Sequence, residues 1–187
     1  MPDVRVPGFL GRVLADHDDP VGTCFHVAPG VVVTACHVLA EIDAAQLDAQ
    51  VLLDPLAGGA PFQASVARLD PLHDLAVLVV AQEPGFAEVS GPLAASDGVA
   101  LREPVRVTGH PLVYEPGHAY RYLDAPGTWA GGSVRDGEVG LGRLISDQVL
   151  KGMSGAPVLR ESDGAVLGVA SGRYNTPDGW LAGTVWV

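Results

Sequence analysis

Lysine is nearly missing from this sequence of 187 residues: Lys151 stands alone, and with the scattered arginines the basic residues number 11 against 22 acidic ones, a formal charge of −11. That balance excludes the broad phosphate-neutralising surface that nucleic-acid binders use, so nucleic acid is not an expected partner. It also leaves no polybasic patch for a membrane surface. Cysteine is just as scarce. Cys24 and Cys36 are too few for a secreted disulfide framework and, alone, for a structural zinc site, and they are expected as small buried free thiols. No stretch is long and apolar enough to span a bilayer, and the N-terminal MPDVRVPGFLGRVLADHDD has no basic start followed by an apolar run. The expected location is therefore cytoplasmic. The other histidines, His17, His26, His73, His110 and His118, lack metal-ligand spacing, so neither a metal nor another cofactor is expected. Trp129, Trp180 and Trp186 are read as packing residues.

What is present is apolar and punctuated. Hydrophobic residues make up 48% of the chain, enough to bury a core, and 24 Gly and 15 Pro spread over the whole length point to many short strands separated by turns. The runs VGTCFHV and VVVTACHV flank Ala28-Pro29-Gly30 and read as a hairpin. AQVLLD, FQASVARLD and DLAVLVV continue a first half, 1–81. Leu39 to Ala49 carries alanine, leucine and acids without Gly or Pro and is the best helical candidate. Residues 82–98 look like a connection. EPVRVTGHP, AYRYLD, GTWAGGSV, EVGLGRL, SGAPVLR, AVLGVAS and WLAGTVWV then supply a second series of strands over 99–187. The fold class is all-β, one domain in two β-rich halves.

Serine is a poor nucleophile at neutral pH. Acyl transfer from it needs a histidine base, a carboxylate to orient that base and donors for the oxyanion. Ser154 lies in KGMSGAPVL, where flanking glycines permit a tight backbone that leaves a hydroxyl exposed before a strand. His37 follows the apolar VVVTAC, and Asp74 opens the apolar LAVLVV. Each alone has a bland reading, as a turn serine, a strand-end histidine and a strand-terminating acid.

TACHV, HDLAVL and GMSGAPV, in that order, resemble the His, Asp and Ser motifs of trypsin-like serine peptidases, over roughly residues 20 to 172. GTCFHV and TACHV are similar to the corresponding neighbourhoods of compact bacterial members of the HtrA type. The resemblance implies two six-stranded antiparallel β-barrels with the active site in the cleft between them, and a serine endopeptidase acting on protein or peptide substrates through His37, Asp74 and Ser154. It implies an oxyanion hole from the amides of Gly152 and Ser154. Ile145 to Lys151 would line the primary specificity pocket, with Gln148 at its base, where enzymes that cut after Arg or Lys carry an acid. Ser171, Gly172 and Arg173 would form the backbone rail for an extended peptide. Met153 stands where secreted trypsins keep an aspartate that pairs with a newly cut N-terminus, so activation by cleavage is not expected. Related domains are found fused to sensor or regulatory domains, which implies that the chain is one module of a longer protein. An α/β-hydrolase would want GxSxG and the order Ser, Asp, His. The alternative is a silent peptide- or partner-binding module on the same fold, and an acyltransferase or esterase shares the triad chemistry.

Overall fold

The computed structural model describes residues 5–17, 19–81, 86–172 and 183–187. Six strands build the first half: β1 (Leu10–Asp16), β2 (Asp19–Ala28), β3 (Val31–Ala35), β4 (Gln50–Pro55), β5 (Phe62–Asp70) and β6 (Leu75–Val79). Their order is β1-β2-β3-β6-β5-β4, and β1 closes the barrel by pairing antiparallel with β4, from Gly11 opposite Pro55 to Leu14 opposite Leu52. Alternation explains the closure. Val13, Cys24, Val32, Leu53, Val66 and Leu78 point inward and are buried together, each contributing roughly 1.5–3 kcal/mol for a large side chain. The expected hairpin is present. Gly30 takes φ of 69° at its turn, in the left-handed region where glycine carries no Cβ penalty.

The second half contains β7 (Pro104–Gly109), β8 (Leu123–Arg135), β9 (Val139–Ile145), β10 (Pro157–Arg160), β11 (Val166–Val169) and β12 (Thr184–Trp186). They form one strongly curled sheet in the order β11-β10-β7-β8-β9-β12. Its two edges meet just beyond β11, where Ser171 N–H donates to Trp186 O (2.8 Å) and Trp186 N–H donates to Gly172 O (2.9 Å). Val107, Trp129, Leu144, Met153, Val158 and Val185 lie in its core. A third apolar cluster joins the halves: Leu10, Phe25 and Leu56 from the first pack with Leu159 and Val166 from the second. The connecting segment is strapped to both. Phe86 stacks on His26 at 5.6 Å, and Ala94 N–H donates to Val166 O.

Two local expectations are corrected. The helix expected over Leu39 to Ala49 is instead the short α1 (Cys36–Ala40), followed by turns. Only Cys36, Val38 and Leu39 bury a face there, and Asp43 and Asp48 adopt φ of 55° and 61°, which ends any helical path. AYRYLD and GTWAGGSV do not form separate strands: residues from Leu123 onward run as the single β8 through Pro126. Proline is tolerated because pairing with β9 begins only at Thr128, so no ladder bond needs the N–H that Pro126 lacks. Among the described residues no helix is long and apolar enough to cross a membrane.

Candidate active site

The fold brings His37 and Asp74 of the first half close to Ser154 of the second, with Ser171 between them. His37 sits in α1 directly after β3, and Asp74 precedes β6, the strand that pairs with β3. Cys36 N–H donates to Asp74 O (3.1 Å), which ties the two strand ends together. Asp74 grips His37 twice: Oδ1 accepts from the His37 backbone N–H (2.8 Å) and Oδ2 lies 2.6 Å from His37 Nδ1. Asp74 has φ of 55°, a conformation that few residues other than Gly, Asn and Asp adopt, and it is what aims the carboxylate back at the imidazole.

Ser171 links this pair to Ser154. Its hydroxyl donates to Asp74 Oδ2 (2.5 Å), and its carbonyl accepts from Ser154 Oγ (3.2 Å). The sequence reading gave Ser171 only a backbone role. The hydroxyl contact spans 97 positions and had no local signal. Burial pushes the Asp74 carboxyl up, but the bonds from His37 and Ser171 outweigh it and hold the carboxyl below its ordinary range. The bond to Asp74 raises His37 above the ordinary imidazole value, against an opposing effect of burial. An ionised Asp74 can only accept, so Nδ1 carries a proton and Nε2 of the neutral ring is left as a base.

The loop at Ser154 has nearly all its backbone groups committed. Leu112 N–H takes Lys151 O (2.7 Å), Ala156 N–H takes Met153 O (3.1 Å) and Thr23 N–H takes Ser154 O (2.8 Å). Thr23 Oγ1 takes Gly152 O (2.8 Å). Met153 N–H donates to Leu150 O and Gly155 N–H to Ala170 O. Among the described residues no protein acceptor takes the N–H of Gly152 or of Ser154. Gly152 has φ of 91°, and a Cβ there would stand 2.7 Å from His110 O and 2.5 Å from Leu112 Cγ. Met153 turns its side chain into the second core, where its sulfur accepts from Leu150 N–H (3.3 Å).

A cavity of about 330 Å³ opens beside Ser154, lined by Val149, Leu150, Lys151, Ala170, Gly172 and Val185. Gln148, expected at its base, is exposed and does not line it. The turn before it explains why: Ser146 Oγ donates to Pro126 O and accepts from Gln148 N–H (3.2 Å), a pinned bend that gives Val149 to the cavity and Gln148 to solvent. Arg173 lies outside the described residues. A second, smaller cavity, about 260 Å³, lies against His37 and is lined by Cys36, Ala40, Leu69 and Pro71. Cys24 and Cys36 are both buried free thiols, and burial raises both pKa values.

Compared with known families, residues 22–169 match the trypsin-like peptidase domain. The chain belongs to that family. No curated protein matches it. Among solved structures, this trypsin-like peptidase domain is similar to the Rv3671c protease of M. tuberculosis in its active form, with 25% identity over 95% of this chain and 73% of that one and a TM-score of 0.66. The inactive form of the same protease aligns over 96% of this chain and 82% of that one, with 25% identity and a TM-score of 0.67. The HtrA-type protease AlgW with a tripeptide gives a TM-score of 0.72 at 17% identity, over 97% of this chain and 56% of AlgW, which shows a shared fold.

Proposed function

We propose that this peptidase domain is a serine endopeptidase in which Ser154 is the nucleophile, His37 the general base and Asp74 the group that orients it. The observation that carries this reading is the continuous chain Ser154–Ser171–Asp74–His37 beside two backbone N–H groups that have no protein acceptor among the described residues. Ser154 Oγ attacks the substrate carbonyl while its proton passes to His37 Nε2, and the imidazolium that forms is stabilised by the Asp74 carboxylate. The amides of Gly152 and Ser154 take the developing oxyanion, a contribution on the order of 10²–10³ in rate for each donor. His37 then protonates the leaving amine, and water repeats the steps on the ester at Ser154. When Ser154 Oγ turns to His37, it frees Ser171 O to accept an N–H from an extended substrate.

Val149, Leu150, Ala170 and Val185 favour a medium-sized aliphatic side chain in the cavity beside Ser154, and a basic one is disfavoured because it would be desolvated against them with no acid among the described lining residues. The test is labelling by a fluorophosphonate probe together with cleavage profiling on a peptide library. Labelling of the native chain, lost in Ser154→Ala and in His37→Ala, with cuts after aliphatic residues, is the expected result. Peptide binding without labelling or turnover would sink the peptidase reading.

A further inference from the structure

Thr23 is fully buried where the two halves meet, and it is the residue of the first barrel that touches the Ser154 loop through hydrogen bonds at both backbone and side chain. Its main chain is fixed from both sides: N–H donates to Ser154 O (2.8 Å), and C=O accepts from Thr34 Oγ1 (2.7 Å). Its hydroxyl accepts from His110 N–H (2.9 Å), so the single hydroxyl proton goes to the remaining neighbour, Gly152 O (2.8 Å).

A trans peptide is planar, with C=O and N–H on opposite sides. Leu112 N–H holds Lys151 O, so the Gly152 N–H points the other way; Thr23 holds Gly152 O, so the Met153 N–H points away from it, to Leu150 O. Two successive peptide planes are thus set from outside the loop. A flip of either would strand a buried carbonyl, and removal of the Thr23 hydroxyl would leave both Gly152 O and His110 N–H without that partner. Gly152 cannot hold this geometry by itself, because glycine has the widest choice of backbone conformations.

We propose that Thr23 is a positioning residue for the oxyanion site: its hydroxyl, oriented by His110 N–H, fixes the Gly152–Met153 peptide from the first barrel, and with Leu112 N–H on Lys151 O it locks Gly152 from both sides, so that the Gly152 N–H stays aimed at the reacting carbonyl. The proposal rests on the peptidase reading above, and it makes the oxyanion site a joint product of both barrels.

The decisive comparison is Thr23→Val, which keeps shape and β-branching but loses the hydroxyl, against Thr23→Ser, which keeps it. For peptide cleavage, Thr23→Val should lower kcat about ten- to a hundredfold through misplacement of the donor, with KM nearly unchanged. Affinity for a peptide aldehyde, which places an oxyanion at the site, should fall in parallel, and Thr23→Ser should restore both. Native kcat in Thr23→Val, or equal loss in the two variants, would overturn the proposal. A readout independent of turnover is the Thr23 hydroxyl proton of the unmodified protein, expected in proton NMR as a slowly exchanging signal close to the His110 amide. Its absence overturns the proposal even if Thr23→Val does not fold. If that signal is present but the native protein neither labels nor cleaves, the peptidase reading is what has failed.

Discussion

At the scale of single residues, the candidate chemistry depends on how Asp74 is surrounded. Two bonds to His37 and one from the Ser171 hydroxyl converge on its half-buried carboxylate, and His37 is raised as a result. Catalysis needs the neutral imidazole, so kcat/KM should fall as pH drops through the His37 pKa. That midpoint should lie above the ordinary value of about 6.5. In Asp74→Asn the largest raising cause is gone while burial still lowers the value, so the acid limb should move to lower pH, with activity down on the order of 10⁴. A pH–rate profile of both proteins checks the sign. A limb that stays in place after the substitution would mean that His37 is not the titrating base.

At the scale of elements, the loop between the end of β9 and β10 is shaped by contact with the first barrel as much as by its own sequence. Gly155 has φ of 85°, and a Cβ there would stand 2.1 Å from Thr23 O and 2.4 Å from Thr34 Oγ1. Both neighbours belong to the β2–β3 hairpin, whose strands also carry Cys24 and lead into His37. Gly155→Ala therefore combines left-handed strain with a backbone collision and should cost upwards of ~3 kcal/mol. Thermal unfolding should register this as a Tm drop of about 6–12 °C, since each kcal/mol moves a domain of this size by roughly 2–4 °C. An unchanged Tm would show that the hairpin and the loop are not in register as described. The same hairpin explains why Cys24 and Cys36 stay apart as thiols: Cys24 is enclosed in the barrel interior against Gly11, and Cys36 Sγ donates to Leu75 O (2.9 Å).

On the scale of the whole molecule, the two halves meet through an apolar cluster and a set of buried threonine bonds. Met153 is fully buried in the second core, where an acid would have to pair with an incoming ammonium. A thioether cannot neutralise such a charge, and burying one beside it would be costly. The uncut chain carrying a bulky N-terminal tag is therefore expected to label at Ser154 as fully as the untagged chain. Labelling that appears only after the N-terminus is trimmed would contradict the role given to Met153.

The order of TACHV, HDLAVL and GMSGAPV and the even spacing of apolar runs were enough to determine the all-β class, two β-rich halves and three candidate residues, because period-2 alternation and motif order are local properties of a chain. Gln148 shows the limit of that reading: its position by motif counting is at the cavity base, but the bend pinned by Ser146 and Pro126 turns it to solvent, and its neighbour Val149 lines the cavity instead. The unbroken path of β8 through Pro126 and the Ser171 hydroxyl on Asp74 were likewise decided by partners far along the chain. Thr23 is the clearest case. Nothing in GTCFHV marks its hydroxyl, which acquires a direction only when the second barrel supplies one donor, His110 N–H, and one acceptor, Gly152 O, on either side of it. Hydrogen-bond direction between buried groups is a property of three-dimensional neighbours, and only the tertiary structure decides it.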